Sequence, residues 1–220
     1  MQVKLDTTIG EIEKMVSRAA KAAQTTRGNA DKEIFSSDEE KLLRHIIELG
    51  HESILEHINF TYVIKGLSRA CLQELARHRH TSPSVESTRY TLKKYLLNTD
   101  ALGLDSDLLK DLDIDLILGK YANEDEVLRI IGHIFGLIER LRLKYPEIPN
   151  DVLKYFIPEF WPTRLTITMN VRELRHILKL RTTPNVLKEF RYLAHALFDV
   201  VPNEFKFLLE DCVHEARTES

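Results

Sequence analysis

Residues 57–65 have the sequence HINFTYVIK, and this stretch decides the fold class. From Ile58 to Ile64 apolar side chains alternate with mostly polar ones, and β-branched and aromatic residues dominate. A period of two is typical of a β-strand with one buried face. Residues 164–170, RLTITMN, show the same alternation and predict a second strand.

Most of the remaining chain has the three- and four-residue apolar spacing of amphipathic helices. Gly66 is expected to end the first strand, and residues 84–90 are expected to form a loop. Because the strands are few and do not alternate regularly with helices, a doubly wound parallel sheet is not expected. The pattern predicts a mixed α/β domain with a small sheet packed by several helices. Helices are predicted over residues 8–24, 37–50, 68–77, 105–117, 127–144, 171–180 and 185–201.

The composition excludes several classes of protein. The chain has 220 residues, of which 43% are hydrophobic and 30% charged, too apolar for disorder. The two cysteines, Cys71 and Cys212, form neither a disulfide framework nor a zinc cluster, which suits a reducing compartment. No apolar run approaches the roughly 20 residues of a membrane span, and residues 1–6 lack the apolar core of a secretion signal. A cytoplasmic protein with no membrane partner is predicted.

The formal charge of −3 conceals a segregation of charge along the chain. Residues 65–94 carry a net +5 and residues 164–181 a net +4, whereas residues 99–126 carry a net −7. Two basic blocks separated by an acidic one suggest two walls of an anion-binding site. Charge alone is equally compatible with surface ion pairs between these segments.

The densest group of chemically active side chains lies in residues 77–90, RHRHTSPSVESTRY. Its arginines, serines and threonines supply many hydrogen-bond donors, which suits a nucleotide or another anion. Arg69 lies eight residues before Arg77, so on one continuous helix the two would point within about 80° of each other. The alternative is a cationic helix end that interacts with its own dipole. With Arg89 and the serines included, the pattern favours a ligand site.

A second group lies in residues 170–181, NVRELRHILKLR. Arg181 falls within about 20° of the apolar stripe of this predicted helix, where an unpaired charge is costly. It therefore needs an anion or a polar ligand, unless it snorkels to water as a C-terminal cap. The spacing also places four side chains on one face, namely Arg172, Arg175, His176 and Lys179.

Other familiar site patterns do not fit this chain. His51 and His57 are six residues apart, about 240° around a helix, so they cannot act as a helical zinc pair. Neither GxGxxG nor GxxxxGK[ST] occurs, and no other spacing predicts a metal. Cys71 has the surroundings of a small core residue, and nothing marks Cys212 as reactive.

Arg77-His78-Arg79, seven further residues, Ser87 and then Arg89-Tyr90 resemble the RHRx7S signature of the flavin-dependent thymidylate synthases. The downstream pattern NxR…H…LR in residues 170–181 supports the resemblance, which covers residues of about 45–95 and 150–211. It implies a single domain over residues 1–220 with a small, mostly antiparallel sheet packed by helices.

The resemblance also implies the reaction and its partners. The family converts dUMP to dTMP, taking a one-carbon unit from methylenetetrahydrofolate and electrons from NADPH through FAD. It forms homotetramers with active sites at subunit interfaces, and neither nucleic acid nor a membrane is a partner. Because the protein binds and orients while the cofactor carries the redox step, no catalytic thiol is needed.

By motif position, the resemblance assigns two sets of residues. The cofactor set, expected to hold FAD, comprises Ser53, Arg77, His78, Arg79, Asn170, Arg172 and His176. The nucleotide set, expected to hold dUMP, comprises Arg69, Glu86, Ser87, Arg89, Lys154 and Arg181. Arg181 is the expected catalytic residue, binding the uracil edge and favouring ionisation at N3. Lys154 stands where an arginine often contacts the nucleotide, so it keeps the charge without the fork.

Two other functions stay open at the level of sequence. A nucleic-acid-binding module could use the basic blocks together with Tyr62, Tyr90 and Tyr95 as stacking groups. A family member that has lost catalysis is the other, because Val85 stands where many members have a polar or acidic residue.

Overall fold

A small antiparallel sheet is present in the computed structural model, which describes residues 1–31, 36–97 and 113–214. The mixed α/β class is thereby confirmed. Within the described ranges the strands lie side by side in the order β1-β2-β4-β3. The strands are β1 Gln2–Leu5, β2 Asn59–Ser68, β3 Thr81–Val85 and β4 Pro162–Asn170.

Helices account for most of the remaining described chain. The α-helices are α1 Ile9–Thr26, α2 Ser36–Glu48, α3 Arg69–Leu75, α4 Thr88–Leu97, α5 Ile114–Leu118, α6 Asp125–Lys144, α7 Asn150–Leu153, α8 Val171–Arg181 and α9 Lys188–Asp199. Short 3-10 turns lie at Glu52–His57, Gly119–Tyr121, Lys154–Phe156, Asn203–Leu208 and Glu210–Cys212. No helix in the described residues is long and apolar enough to cross a membrane.

Side-chain caps explain where several helices begin. The Thr8 hydroxyl and the Glu11 carboxylate form a reciprocal capping box at the start of α1. The Ser68 hydroxyl accepts a hydrogen bond of 3.0 Å from the backbone N of Cys71, as predicted for α3. At α8 the side chain of Asn170 accepts one of 2.8 Å from the backbone N of Glu173. This last cap begins the helix that carries the second basic block.

Two predictions of local structure were wrong. Gly66 does not end β2, because with φ at +77° it continues the strand in a backbone conformation that glycine tolerates. Residues 84–90 are not a loop, since β3 ends at Val85 and α4 begins at Thr88. As an edge strand of the sheet, β3 tolerates Pro83.

The prediction that Arg69 and Arg77 point in similar directions from one helix was also wrong. Helix α3 ends at Leu75, so the two arginines do not share a helix and their predicted 100°-per-residue relation does not apply. The predicted helix over residues 105–117 falls largely outside the described residues, which resume at Asp113 and contain α5.

The chain divides into two compact units. Unit 1 comprises Met1–Gln2, Ile64–Leu75 and Ser84–Leu165, and unit 2 comprises Val3–Val63, Ala76–Pro83 and Thr166–Ser220. The core of unit 1 is partly aromatic, with the rings of Phe135 and Trp161 5.7 Å apart. Unit 2 buries one face each of α1, α8 and α9. The expectation of a single domain over the whole chain stays a prediction.

Candidate functional site

The two basic motifs meet inside unit 2. His78, at the centre of the RHR motif, is 5% exposed, and its ring lies 5.9 Å from that of His176 on α8. The ring of Phe190 on α9 lies 5.6 Å from His78 on a third element. Arg77 and Arg79, on either side of His78, are exposed. The RHR motif therefore buries its histidine and presents its arginines outward.

Both ring nitrogens of His78 have protein partners. Its Nδ1 lies 3.3 Å from Oε1 of Glu173, and its Nε2 accepts a hydrogen bond of 3.2 Å from Nε of Arg181. Burial and the nearby Arg181 charge lower the pKa of His78, against the opposing effect of Glu173. Both effects favour the neutral form of His78, and a hydrogen bond donated by Arg181 to Nε2 favours the tautomer with its proton on Nδ1.

Arg181 lies at the C-terminal end of α8 and is half-buried. Its guanidinium carbon lies 4.5 Å from the centre of the Phe190 ring, in a cation–π contact. The sequence predicted that an arginine at this position needs a polar partner, and inside the protein His78 is one such partner.

A cavity of about 470 Å³ lies beside this cluster in unit 2. It is lined by three members of the cofactor set, by His80 and by the carboxylates of Glu52, Glu56 and Glu173. The three members are Asn170, Arg172 and His176. Their amide, guanidinium and imidazole groups are suitable hydrogen-bond donors for the polar edge of a cofactor such as FAD.

Arg172 is held at this cavity by an exposed ion pair. Its Nη1 lies 2.5 Å from Oε1 of Glu56, and both side chains are about half exposed, at 52% and 48%. An exposed pair of this kind contributes little stability, so an incoming anion can compete with Glu56 for Arg172. Ser53, the remaining member of the cofactor set, is exposed in the 3-10 turn that also carries Glu56.

Arg175 behaves differently from its neighbours on α8. Its side chain is 1% exposed, and its Nη1 and Nη2 each lie 2.6 Å from one carboxylate oxygen of Asp211. Its Nη1 also donates to the carbonyl of Leu208, and its Nε donates to Glu52. Burial acts to raise the pKa of both carboxyls, but Lys179 and Arg175 at Glu52, and Arg175 at Asp211, outweigh it and each pKa is lowered. Arg175 is thus a structural residue, although the sequence placed it on one face with Arg172 and His176.

The nucleotide set, apart from Arg181, lies in unit 1. Arg69 begins α3, and its buried Nε has no hydrogen-bond partner among the described residues. A buried donor without a partner is costly, which is typical of a position that a ligand completes.

Arg89 lies near the start of α4 and is tied to α7. Its Nε lies 2.8 Å from Oδ1 of Asp151, and its carbonyl accepts a hydrogen bond of 2.6 Å from Asn150. At 60% exposure its side chain remains accessible. Ser87 and Glu86 precede α4 and are half-buried, and the backbone N of Glu86 bonds to Arg164 of β4.

Lys154 follows α7 in a short 3-10 turn, with its ammonium 5.4 Å from the Tyr155 ring. Unit 1 therefore carries Arg69, Glu86, Ser87, Arg89 and Lys154, and unit 2 carries Arg181 with the whole cofactor set.

Sequence reasoning missed the carboxylates that hold these arginines. Glu173, Glu56 and Asp151 each contact a basic or imidazole side chain of the predicted sets. The available signal was Glu173 itself, the only acidic residue of α8 in a block of five bases. It was counted there only as a charge.

Three further observations concern the stacking tyrosines, the thiol and the metal site considered in the sequence analysis. Tyr62 is fully buried, so it cannot stack on a nucleic-acid base, whereas Tyr90 is 82% exposed; the side chain of Tyr95 lies outside the described residues. Burial raises the pKa of Cys212 to about 12, which keeps its thiol protonated. Among the residues with described positions, no group of His, Cys, Asp or Glu has the arrangement of a metal site.

Comparison with known proteins gives consistent matches. A family model described as thymidylate synthase complementing protein matches residues 5–205. A flavin-dependent thymidylate synthase from Campylobacter jejuni (strain RM1221) is 40% identical over 185 residues, covering 81% of this chain and 82% of that protein. Its counterpart from Helicobacter pylori (strain J99) is 41% identical over 167 residues, covering 74% and 76%.

A solved structure also resembles the chain. The crystal structure of thymidylate synthase X from Helicobacter pylori, with FAD and dUMP, superposes with a TM-score of 0.78. The two sequences are 30% identical, and the match covers 98% of this chain and 100% of the Helicobacter pylori chain. The similarity therefore extends over the described parts of both units.

Proposed function

This chain belongs to the flavin-dependent thymidylate synthase family, and from that premise we propose which of its residues hold FAD and dUMP and how they act. It is an enzyme that converts dUMP to dTMP and uses FAD. The observation that carries this function is the close similarity to relatives of that name over four-fifths of the chain. The geometry of unit 2 supports it, because Arg181 and His176 of α8 both meet the buried His78 of the RHR motif.

FAD is held by the cofactor set. Arg77 and Arg79 present exposed guanidinium groups on either side of the buried His78, and such groups suit the pyrophosphate. Asn170, Arg172 and His176 line the adjacent cavity as hydrogen-bond donors. When bound, FAD supplies the electron transfer of the reaction.

The nucleotide set holds dUMP through its phosphate and its base. Arg69 offers the phosphate a buried Nε that has no partner in the described structure, and Arg89 offers an accessible guanidinium. Ser87, Glu86 and Lys154 complete the set as polar contacts around the nucleotide.

Arg181 is the catalytic residue. Its permanent positive charge, directed at the uracil edge, stabilises negative charge on the ring and so favours ionisation at N3. Charge gathered on the base makes C5 nucleophilic without a cysteine adduct. The protonated thiol of Cys212 and the buried Cys71 agree with a route that uses no thiol.

The remaining partners follow from membership of the family. Methylenetetrahydrofolate donates the one-carbon unit and NADPH reduces the flavin. The enzyme acts in the cytoplasm as a homotetramer whose active sites lie at subunit interfaces, each chain forming one domain. It does not bind nucleic acid.

Two measurements on the purified full-length protein test the function. It is expected to take up FAD, to be yellow, and to lose the flavin absorbance on addition of NADPH. With methylenetetrahydrofolate present, it is expected to release tritium from dUMP labelled at C5.

The two measurements separate the alternatives. A protein that binds FAD and dUMP but releases no tritium is an inactive family member. A protein that takes up neither compound, and instead binds an oligonucleotide with steep salt dependence, is a nucleic-acid-binding module.

A further inference from the structure

Glu173 is a buried carboxylate that neither predicted set includes. It is 7% exposed, and its Oε1 faces Nδ1 of His78 at 3.3 Å. The opposite ring nitrogen faces Arg181. The three side chains thus form a continuous chain of contacts that ends on the proposed catalytic arginine.

We propose that Glu173 is a positioning residue, which orients Arg181 towards the substrate by fixing the tautomer of His78. The inference rests on the proposed function, because it assigns Glu173 a role in presenting the arginine that binds uracil. Glu173 also lines the cavity proposed for FAD, but the role assigned to it here acts through His78.

The tautomer follows from the donors and acceptors. An arginine Nε always carries a hydrogen, so the His78 Nε2 that faces it at 3.2 Å must offer a lone pair. The ring proton therefore lies on Nδ1 and is donated to the Glu173 carboxylate. In the other tautomer, the Nε2–H group of His78 would face the N–H of Arg181, and the bare Nδ1 would face the carboxylate of Glu173. Neither pair could form a hydrogen bond.

The aromatic contacts hold this arrangement from the side. The Phe190 ring meets the His78 ring edge-on at 5.6 Å and lies 4.5 Å from the guanidinium carbon of Arg181. Phe190 is fully buried, so it is a fixed surface for both side chains. The Arg181 guanidinium is thus oriented by a hydrogen bond at Nε and by a ring against its face.

Burial and the nearby charges also favour the neutral form of His78. Burial and the Arg181 charge lower the pKa of His78, and His176 adds to the effect from the adjacent ring. A neutral His78 accepts from Arg181, whereas a protonated one would repel it. The resemblance assigns His78 to FAD, but both its nitrogens contact protein groups, which points to a role in orienting Arg181.

The direct test is the protonation state of His78 in the full-length protein. Two-bond 15N–1H correlation spectra of histidine-labelled protein near pH 7.5 distinguish the two neutral tautomers and the cation. The His78 signals are assigned with H78Q. The expected result is an Nδ1–H tautomer. An Nε2–H tautomer or a cation in the wild-type protein overturns the proposal, whatever any variant does.

Variants then connect the tautomer to function. E173M keeps the length of the side chain but offers only a weakly accepting thioether, whereas the amide oxygen of E173Q is a good acceptor. E173M is expected to lose the Nδ1–H tautomer and to lower kcat about 10- to 100-fold, by analogy with the loss of the carboxylate that orients a metal-bound imidazole. E173Q is expected to retain the tautomer and most of the turnover.

The control is the same substitution at an exposed site. Glu40 on α2 pairs with Arg44 and is 52% exposed, so E40M is expected to change neither the His78 spectrum nor kcat. FAD uptake and the melting temperature are measured for each variant. A folded E173M with normal FAD content and wild-type kcat overturns the proposal.

The outcome also separates this inference from the reaction on which it rests. Wild-type protein that releases no tritium from dUMP removes the proposed reaction, while the tautomer is still decided by the spectrum. Normal turnover in both wild-type protein and E173M removes only the role of Glu173. If E173M does not fold, the wild-type spectrum and the turnover of E173Q decide.

Discussion

The two units differ in the partners that their arginine side chains have. In unit 2, Arg172 and Arg175 pair with carboxylates of the same unit, and Arg181 contacts the imidazole that Glu173 holds. In unit 1, Arg89 forms an exposed pair with Asp151, but the buried Nε of Arg69 has no partner among the described residues. Unit 2 is therefore organised before a ligand arrives, whereas Arg69 leaves a donor for the ligand to satisfy.

The largest expected effect concerns the stability of unit 2. Arg175 is buried and bonded to Asp211, Glu52 and the Leu208 carbonyl, so R175A leaves the buried Leu208 carbonyl and two partly exposed carboxylates without this partner. We expect it to lower the free energy of unfolding by about 3–5 kcal/mol, measured by urea denaturation.

The matched control on the same helix is R172A. Its exposed pair with Glu56 is expected to contribute about 0–1 kcal/mol. Equal losses in R175A and R172A would show that burial does not distinguish these two arginines.

The next effect concerns catalysis at Arg181. R181A is expected to lower kcat by about 10²- to 10³-fold in the tritium-release assay, because the charge that stabilises the uracil anion is lost. R181K keeps a charge but not the planar fork that bonds to His78, so it recovers only part of the rate. An R181A enzyme with full turnover contradicts the assignment.

A smaller effect concerns the open donor in unit 1. R69M keeps an unbranched side chain but removes the buried Nε that has no partner in the described structure. We expect the dUMP dissociation constant to rise about tenfold or more, because a charge-assisted hydrogen bond is lost. The free energy of unfolding is expected to stay unchanged or to rise.

Equilibrium dUMP binding and denaturation, measured on the same preparations, check both parts of the R69M prediction. A large loss of stability with unchanged dUMP binding would make Arg69 a structural residue, like Arg175.

The smallest effect is the dependence of stability on pH. Burial lowers the pKa of His78 and of His195 below the ordinary 6.5. As the pH falls, these histidines are protonated in the unfolded chain before they are protonated in the folded chain. The free energy of unfolding is therefore at its full value above about pH 6.5 and decreases below it. At more acid pH it falls again, because Glu52 and Asp211 have lowered pKa values in the folded state. Melting temperatures between pH 4 and pH 8 measure both stages, and a flat profile from pH 7 to pH 5 contradicts the first.

Much of the fold was predictable because its main elements are periodic. β2, β4, α1, α6 and α8 each show one dominant apolar period, and each was predicted close to its observed bounds. β1 has only four residues, too few for a period to stand out. β3 contains Pro83 between two serines, a composition typical of a loop, and only its edge position in the sheet permits it.

The site was predictable in its basic residues but not in their partners. The RHR motif and α8 were expected to form one site, and His78 does meet His176 and Arg181. Whether an arginine binds a ligand or a carboxylate depends on residues far away in the chain. Asp211 lies 36 residues from Arg175, and Glu173 lies 95 from His78. No local pattern encodes such pairs, so neither the burial of Arg175 nor the contact of Glu173 with His78 was predicted.

The central claim is that unit 1 supplies the groups that bind the dUMP phosphate, whereas unit 2 supplies those that bind FAD and the uracil. The most direct test is a crystal structure of the full-length protein with FAD and dUMP bound. We predict that the dUMP phosphate bonds to Nε of Arg69 and to Arg89, that Arg181 faces the uracil while still bonded to His78, and that FAD contacts Arg79 and Arg172. A dUMP phosphate bound by the Arg172 side of unit 2, with Arg69 and Arg89 remote from both ligands, would contradict it.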